Sequence, residues 1–483
     1  MFLKKRFLPL LALLPLLSVA CGQNRTQVRD IRSEADLSGL TISCSNGSYY
    51  EQKYSAREDV TVFVTNSESD GLQAVRQGQA DVFVTDEVTL SADQLRDLGM
   101  KMAFRGEEYF DVAYALRKGN TELLDQLNEF LASAKADGTL DGVISHWVER
   151  TPAVPFPDSD KQLTGDPLRC VLCINLAPVS FVGEGGHWDG MDPEIVRRFG
   201  SWAGRPVEFV YLDLGSGIIA IQTGQADLIA SCLFVTEERK KSMGFSIPYY
   251  LCHPGYFVRD GAAEGGLGLR ERLHRNIVTE GRWKLIVDGL WETVKITVLS
   301  ILLGTLLGAG VCAMLRSRRK WVRRTAELYG AFIQGIPLLV LLLIMFYVVL
   351  AQAGLSGTFV AVITFALCFA WSAGSIFHAA ISSVPKGQTE AGLSLGFTPF
   401  RTFTGIVFPQ ALKRALPLYS GECVSLLKST SIVGYIAIMD LTRASDLIRS
   451  RTFDALVPLL IITVAYFVLA WLIRLLLNLF LKK

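Results

Sequence analysis

Long apolar runs dominate the second half of the chain. Residues 296–315 are 20 consecutive positions without a charged side chain, enough for one helix to cross a hydrocarbon layer about 30 Å thick. A second charge-free run, residues 328–385, predicts two helices, which we expect to be joined at the turn-forming residues 354–357. Weaker apolar segments at residues 415–439 and 455–473 predict two more. The pattern therefore predicts five membrane-spanning helices.

The first half carries a different pattern, in which short β-rich runs alternate with helical stretches. Because residues 151–167 are rich in Pro, Asp and Ser and lack periodicity, we interpret them as a linker. Two α/β lobes are therefore predicted, with ligand sites at the carboxyl ends of their strands. The predicted strands are residues 41–45, 60–64, 80–85, 110–116, 168–176, 207–211 and 226–232, and the predicted helices include 67–78 and 121–138.

Composition and charge separate the two halves further. Half of the 483 residues are hydrophobic and 19% are charged, and the mean hydropathy is +0.33. Residues 1–282 contain 29 basic and 38 acidic side chains, whereas residues 283–483 contain 19 basic and 8 acidic ones. Since the basic residues of the second half lie between long apolar runs, they do not indicate nucleic-acid binding. A purely cytosolic enzyme is excluded as well.

Basic residues in short loops predict the orientation of the five helices. Six Lys and Arg residues lie within residues 316–324, directly behind the first apolar run, so this end of the helix should face the cytoplasm. The next cytoplasmic loop is then residues 386–414, and the terminal Lys482 and Lys483 are also inside. An odd number of crossings places everything before residue 283 outside.

The N-terminus has the pattern of an export signal. Residues 1–6 include the basic Lys4, Lys5 and Arg6, residues 7–17 are apolar, and small residues precede Cys21. We predict a signal peptide over residues 1–21. A cysteine at this position resembles a bacterial lipoprotein signal, which implies acylation of Cys21, although Ser18 stands where Leu is usual. Plain cleavage and an uncleaved anchor remain the alternatives.

The other cysteines predict no metal site. Cys170 and Cys173 lie in an apolar strand-like run, and neither a second pair nor a nearby His stands at zinc spacing. We interpret these thiols as buried small hydrophobes. A disulfide among the external cysteines is the alternative, since the compartment would permit it.

Several motifs in the first half resemble those of bacterial amino-acid-binding proteins. Residues 168–260 resemble the first lobe of that family, and residues 33–150 resemble its second lobe with the closing helix. The resemblance implies a two-lobed α/β solute-binding domain of the type II periplasmic kind, with its lobes in permuted order. Two separate half-domains are the alternative. The motifs are Pro178-Val179-Ser180-Phe181, Gly190-Met191-Asp192, Ala226-Asp227-Leu228-Ile229, Thr236-Glu237-Glu238-Arg239, Gly47-Ser48-Tyr49 and Asp86-Glu87.

The second half contains a motif in its predicted cytoplasmic loop. Glu390-Ala391-Gly392, Gly396 and Ile406-Val407-Phe408-Pro409 resemble the EAA loop of the membrane subunit of polar amino-acid ABC importers. In that family the loop forms a short helix that docks into a cleft of the ATPase. The resemblance therefore implies that Glu390, Ala391, Gly396 and Pro409 couple this chain to a dimeric cytoplasmic ATPase. An amphipathic loop without this role is the alternative.

The two resemblances together cover nearly the whole chain. They imply a linker over residues 261–283 and an all-α polytopic membrane domain over residues 284–483. No Gly-x-x-x-x-Gly-Lys-[Ser/Thr] sequence occurs, so ATP hydrolysis requires another subunit. We expect a bacterial inner-membrane protein that is not an enzyme, needs no cofactor or metal, and imports an amino acid. Five helices are too few to surround a pathway, so we also expect a homodimer embedded in lipid.

The binding-protein resemblance assigns the amino-acid site. It implies that Arg239 binds the ligand carboxylate, that Asp86 binds the ammonium, and that Ser48 and Gly47 add donors at a helix N-terminus. Surface charge without a ligand is the alternative for Arg239 and Asp86. This chain has Cys232 and Phe234 where the family has Gly and Thr, and Cys173 and Leu176 replace two more site residues. These changes predict an apolar, sulfur-containing or aromatic ligand, or a weakened site.

Lys428 lies inside the fourth predicted span. Because a charge within a membrane is costly, we expect Lys428 to line the translocation path or to pair with Glu422. A structural role at the interface is the alternative. For the whole chain, the rival function is a ligand-gated ion channel of the glutamate-receptor type, but residues 432–435 lack the following Gly that a potassium filter needs.

Overall fold

The computed structural model describes residues 31–156, 163, 165–183, 187–260, 268–350, 355–454 and 456–481. The predicted signal peptide, Cys21 and the terminal Lys482 and Lys483 lie outside the described residues, as do parts of both predicted linkers. Within the described chain, the strands precede residue 260 and the long helices follow residue 282, which agrees with the division in the sequence pattern.

Two five-stranded sheets with equivalent strand orders organise the first half. The first has the order β2-β1-β3-β14-β4 and the second the order β10-β7-β11-β6-β12. In each sheet four strands run in the same direction, and one antiparallel strand, β14 or β6, lies between the third strand and the last. The strands are β1 (Thr41–Ser45), β2 (Thr61–Thr65), β3 (Val82–Asp86), β4 (Met100–Arg105), β5 (Phe110–Val112), β6 (Ala115–Arg117), β7 (Leu168–Leu172), β8 (Phe181–Val182), β9 (Trp188–Asp189), β10 (Val207–Tyr211), β11 (Leu228–Ile229), β12 (Met243–Phe245), β13 (Tyr250–Cys252) and β14 (Pro254–Arg259).

Side-chain caps start several helices of this half. Ser48, Ser67, Asp213 and Thr236 each accept a hydrogen bond from a backbone N–H three residues later, which satisfies a donor that the helix itself leaves unpaired. The helices are α1 (Tyr49–Ser55), α2 (Glu68–Arg76), α3 (Ala92–Leu98), α4 (Thr121–Ala136), α5 (Thr139–Glu149), α6 (Met191–Ala203), α7 (Leu214–Gln222) and α8 (Glu237–Ser242).

The described chain divides into two compact units. One holds residues 31–87, 92–108 and 253–260, and the other holds the rest, including the second sheet and the whole helical half. This division differs from the predicted lobes 33–150 and 168–260. Helices α4 and α5 pack on α6, where Trp147 Nε1 donates to Glu194 Oε2 at 2.6 Å. Residues 109–150 therefore belong with the second sheet, and β14 belongs with the first.

The second half is helical. Helices α10, α13 and α18 are long and apolar enough to cross a membrane, and two bent helix pairs raise the number to five if each is one crossing. The structure thus contains three to five candidate spans. The helices are α9 (Leu269–Ile277), α10 (Trp283–Leu315), α11 (Lys320–Gly335), α12 (Leu338–Ile344), α13 (Gly357–Ser382), α14 (Lys386–Ser394), α15 (Pro399–Thr402), α16 (Phe408–Ser429), α17 (Leu441–Thr452) and α18 (Leu456–Leu481), with π-helices at Met345–Val349 and Phe403–Val407 and a 3-10 helix at Thr430–Ile436.

The second predicted span is not one straight helix. Helix α11 ends at Gly335, and the chain bends by 101° before it continues as α12. Pro337 lacks an N–H and forces the preceding residue out of helical geometry, and Ile336 is extended, with φ −111° and ψ 129°. The proline therefore interrupts an apolar run that is otherwise long enough for a single helix.

Helices α10 and α13 run side by side in the same direction. Thr358 donates to Glu292 near their starts, and a Cβ on Gly304 or Gly308 would lie within 3.0 Å of the carbonyl oxygen of Ala366 or Ala370 further along. Small residues at this spacing allow two helix backbones to approach closely inside a membrane. The parallel pair forms the centre of the helical half.

Candidate functional site

In the first unit, the predicted ligand residues stand at the carboxyl ends of two neighbouring strands. Gly47 has a φ of +73° and follows β1, and its N–H donates to Glu51 Oε2 at 2.6 Å. Ser48 caps α1 by accepting from the Glu51 N–H at 3.2 Å. Asp86 ends β3, is 7% exposed, and accepts a hydrogen bond from the Tyr50 hydroxyl at 2.8 Å. The structure therefore brings the loop after β1 and the end of β3 to one edge of the sheet.

In the second unit, the other predicted ligand residues form one continuous segment after β11. Cys232 is buried and has a φ of +49°, a conformation that glycine adopts more easily. Phe234 is buried and stacks on Phe110 with 4.5 Å between ring centres. Arg239 is half-buried in α8, and its guanidinium donates to the Phe234 carbonyl at 3.1 Å. The arginine is thus held at the loop that contains two of the departures from the family pattern, Cys232 and Phe234.

A buried carboxylate supports this segment. Asp192 is fully buried and accepts hydrogen bonds from Tyr249 Oη at 2.5 Å, Tyr114 Oη at 3.3 Å and the Cys232 N–H at 3.1 Å. Burial raises the pKa of Asp192 to about 6, and the three donors oppose that rise. In the sequence, Asp192 is recognisable only as part of the Gly190-Met191-Asp192 motif, whereas in the structure it positions the Cys232 backbone.

No disulfide links the cysteines of the described chain, so the disulfide alternative has no support there. Cys170, Cys173 and the other six cysteines in this part of the chain form no disulfide with one another. Burial raises the pKa of the Cys44 thiol to about 12, which makes it unreactive. Among the described residues, no group of His, Cys, Asp and Glu is arranged to hold a metal ion.

The lobe of the second unit is bound to the ends of the membrane helices. Arg443 in α17 donates to the Tyr211 carbonyl at 2.6 Å, and its guanidinium lies 4.2 Å from the Tyr211 ring centre. Asn175 donates to the Leu447 carbonyl at 3.3 Å, and Gln225 donates to the Phe346 carbonyl at 2.6 Å. A single hydrophobic core continues from β7 and α7 of the lobe into helices α12, α13 and α16.

Sequence reasoning missed these docking residues. The available signal was the concentration of charged side chains in residues 440–454, an amphipathic stretch between apolar segments on the predicted outer side. The lobe contacts the starts of α10 and α13, whereas the basic residues 316–324 and the loop 386–414 follow the other ends of these helices. The lobe and these two loops are therefore at opposite ends of the helical half.

The loop 386–414 forms the short helix that the motif implies. Glu390 and Ala391 are exposed on α14, and Pro409 is exposed at the start of α16. Gly396 has a φ of +81° and follows the helix end, where its N–H donates to Leu393 O and the next N–H donates to Gly392 O. This is a Schellman C-cap, so the conformation of Gly396 explains the glycine.

Gly392, which stands where the family has Ala, is the position of close approach in this loop. A Cβ there would lie 2.6 Å from Thr402 Cγ2 and 3.0 Å from Ile406 Cδ1, whereas a Cβ on Gly396 would meet nothing within 4 Å. A glycine at residue 392 therefore suits this chain, because Thr402 and Ile406 leave no room for a Cβ.

Lys428 lies in the last turn of α16, near the end that leads to the lobe. Its side chain is exposed, and no ion pair between Lys428 and Glu422 occurs in the described chain. The predicted pairing is therefore wrong, and a place on the translocation path stays a prediction.

Comparison with known proteins places the helical half in a family. A family model described as "Binding-protein-dependent transport system inner membrane component" matches residues 300–483. The L-cystine transport system permease protein TcyB of Bacillus subtilis (strain 168) is 33% identical over 205 residues, which are 42% of this chain and 86% of that protein. The chain belongs to this family of inner membrane components.

Other proteins are similar to parts of this chain. A putative glutamine transport system permease protein GlnP of Rickettsia bellii (strain RML369-C) is 28% identical over 200 residues, covering 41% of this chain and 92% of that one. A solved structure described as an amino acid ABC transporter with histidines is 36% identical, with a TM-score of 0.38, over 41% of this chain and 93% of that one. A putative L-cystine ABC transporter from Listeria monocytogenes is 11% identical, with a TM-score of 0.24, over 54% and 92%. The family model and the two permease relatives give the ion-channel alternative no support.

Proposed function

We propose that this chain is the membrane subunit of an amino-acid ABC importer that carries its own solute-binding domain. The observation that carries the proposal is the docking of an α/β lobe onto one end of a helical half that belongs to the inner-membrane-component family. Relatives named for cystine and glutamine transport support an amino acid as the solute. The chain performs no covalent chemistry in this proposal, and a separate dimeric ATPase hydrolyses ATP.

The direction of the helices supports five crossings. Helices α10 and α13 are parallel, so the intervening residues 320–349 must return along the bundle despite their bend at Pro337. Helix α16 leads back from the loop 386–414 to residues 436–439, which lie beside Gly357 at the start of α13. Helix α17 then stays with the lobe, and α18 makes the last crossing.

The positions of the lobe and loops support an extracytoplasmic binding domain. The basic residues 316–324 belong in the cytoplasm of a bacterium by the positive-inside rule, and the lobe is at the opposite end of the helices. The signal peptide and acylation of Cys21, both predicted from sequence, fit the same orientation. Radiolabelling with palmitate, with Cys21→Ser as the control variant, tests the acylation.

The equivalent strand orders of the two sheets support a binding domain with permuted lobes. In each sheet the antiparallel strand arrives from a part of the chain outside the strands that it separates. This exchange of strands is expected of a single binding domain in which the chain crosses between the two lobes and in which circular permutation has moved the start of the chain. Independent half-domains would each complete their own sheet.

Within this domain, we propose that Arg239 and Asp86 bind the two charged groups of the amino acid. Gly47, Ser48, Cys232 and Phe234 surround the ligand in this proposal, and the buried thiol and ring favour an apolar or sulfur-containing side chain. Arg239→Ala should weaken binding by roughly 2–5 kcal/mol, since it removes one member of a buried charge pair. Lys240→Ala is the matched control, because Lys240 is exposed and pairs with Glu237 on the same helix.

The experiment uses the full chain with its ATPase, because the core of one lobe continues into the membrane helices. Uptake of each protein amino acid and of L-cystine is measured in proteoliposomes, together with stimulation of ATP hydrolysis. One amino acid should stimulate both, and Arg239→Ala should abolish the stimulation. Equal uptake by Arg239→Ala and Lys240→Ala would refute the assigned site.

We further propose that the loop 386–414 docks on the ATPase. Glu390 and Ala391 are exposed on its helix, and Leu395 and Phe400 present large apolar side chains to solvent, at 74% and 75% exposure. Large apolar side chains that are this exposed favour a protein partner.

Two variants of Gly396 distinguish the effect of backbone strain from the effect of blocking the ATPase. Gly396→Ala and Gly396→Arg both introduce a Cβ at a φ of +81°, so they share the same backbone strain. Only Gly396→Arg adds bulk in the space where the ATPase would lie. ATPase copurification should be lost in Gly396→Arg and largely kept in Gly396→Ala, and equal retention by both would contradict the docking.

Finally, we propose that two copies of this chain form one pathway, with lipid around the outer helices and Lys428 on the path. Crosslinking in native membranes should give a species that contains two copies. A species with one copy of this chain and a different permease would refute the homodimer.

A further inference from the structure

A cavity lies where the lobe meets the membrane helices. Its volume is about 520 Å³, within the usual range for small-molecule sites. Apolar side chains from β7, β10 and α7 form the lobe side. The starts of α10 and α13, the π-helix Met345–Val349 and residues 436–439 form the membrane side. The cavity is separate from the residues proposed above to bind the solute in the first half.

Two buried polar atoms that lack partners belong to residues lining this cavity. The Tyr347 side chain is 8% exposed, and its hydroxyl has no hydrogen-bond partner within the described structure. Gln225 Nε2 donates to the Phe346 carbonyl, which fixes the orientation of the amide, and its Oε1 is likewise buried without a partner. Because a buried polar atom without a partner is costly, both atoms indicate a polar group of a ligand.

The charged side chains of the cavity are acidic. Asp288 lines it and is exposed, so its carboxylate can be reached from solvent. Glu292 also lines it, accepts from the Thr358 hydroxyl at 2.5 Å, and pairs with Lys295 at 2.5 Å. Together with Gln225 Oε1 these carboxylates make the cavity rich in hydrogen-bond acceptors. A ligand that supplies an ammonium group complements them, and its apolar part matches the remaining walls.

We infer that this cavity is a second solute site, which binds the ammonium group of an amino acid between the lobe and the membrane helices. The inference rests on the proposed function, because it takes the transported amino acid as the ligand. Water alone is a poorer match, since each buried water needs two to four polar partners and most of the wall is apolar. The site would hold a solute after it leaves the lobe and before it enters the pathway.

The test is equilibrium binding to the full chain in nanodiscs, with the amino acid that binds the wild-type chain most tightly among the twenty protein amino acids and L-cystine. The wild-type chain should bind two molecules, and Arg239→Ala should retain one weaker site. In the Arg239→Ala background, Tyr347→Phe removes a single oxygen and should weaken that site about 3- to 10-fold. Asp288→Asn should weaken it for the amino acid and not for the analogue that lacks the amine.

Tyr435→Phe is the matched control, because Tyr435 is 50% exposed and belongs to the helix that precedes the cavity residues 436–439. It should leave both sites unchanged. A single site that Arg239→Ala removes completely would overturn this inference and leave the proposed function standing. Absence of amino-acid binding by the wild-type chain would overturn the proposed function itself.

Discussion

Gly392→Ala should destabilise the loop 386–414, which we propose docks on the ATPase, although it replaces a glycine inside a helix by alanine, the best helix former. The new methyl group would lie 2.6 Å from Thr402 Cγ2 and 3.0 Å from Ile406 Cδ1. Thr402 is fully buried, so it cannot move aside without disturbing the adjoining π-helix Phe403–Val407. Overpacking of this kind costs about 1–3 kcal/mol, against a gain in helix propensity of up to about 1 kcal/mol.

Thr402 offers a direct check of this reasoning. Its hydroxyl is buried without a partner, so Thr402→Ala removes an unsatisfied atom as well as the methyl group that collides. The double variant should therefore recover about 1–2 kcal/mol of the loss, a coupling that only contacting residues show. Gly387→Ala is the control, because a Cβ there meets nothing within 4 Å and the residue is also in α14.

Hydrogen exchange of the backbone amides in α14 measures the effect locally, since the loop can open without unfolding the chain. A loss of 1–3 kcal/mol corresponds to roughly 5- to 150-fold less protection. Protection should fall in Gly392→Ala, return in the double variant, and stay unchanged or rise in Gly387→Ala. Equal protection in Gly392→Ala and Gly387→Ala would refute the close packing of residue 392.

Three further outcomes are expected. Gly304→Ala should lower the melting temperature in detergent by separating α10 from α13, at a cost of about 1–3 kcal/mol, whereas Gly310→Ala, with open space around its Cβ, should not. The pKa of Asp192 rises on folding from 3.8 to about 6, so its contribution to stability is present below about pH 4 and is lost as the pH rises through 6. The free energy of unfolding should therefore fall by about 1–3 kcal/mol over this pH range in the wild-type chain, and Asp192→Asn should abolish that fall. Arg443→Ala should cost about 1.5–3 kcal/mol by breaking a charge-assisted bond to the lobe and increase proteolysis there, and Lys413→Ala, an exposed control, should do neither.

Local patterns predicted the elements that are determined locally. The strands at residues 41–45 and 207–211 have the predicted bounds, because β-rich runs between turn residues need no further information. The run 110–116 was predicted as one strand and is two, β5 and β6, which pair in different sheets. An apolar run does not show at which residue its neighbouring strand changes, so this division into two strands could not be predicted from the sequence.

The candidate site shows the same limit. The helix of the loop 386–414 could be predicted from its motif. The bend at Pro337 follows from proline chemistry, but the apolar run around it was predicted as a continuous helix. The docking contacts of Arg443 and Gln225 join residues more than 100 positions apart, and only the folded chain brings them together. The left-handed φ of Gly396 likewise explains why this position of the motif is a glycine.

The continuous core between the lobe and the membrane helices has a consequence for how the protein is made. Residues 109–252 leave the ribosome before helices α10–α18 are synthesised, and at 5–20 residues per second the remaining chain takes roughly 10–50 s. During that time the apolar face of β7 and α7 has no helices to cover it. The core of this lobe can therefore be completed only after the helices are made, although the lobe is translated before them. A chaperone that shields this face would act on the side of the membrane where the lobe emerges.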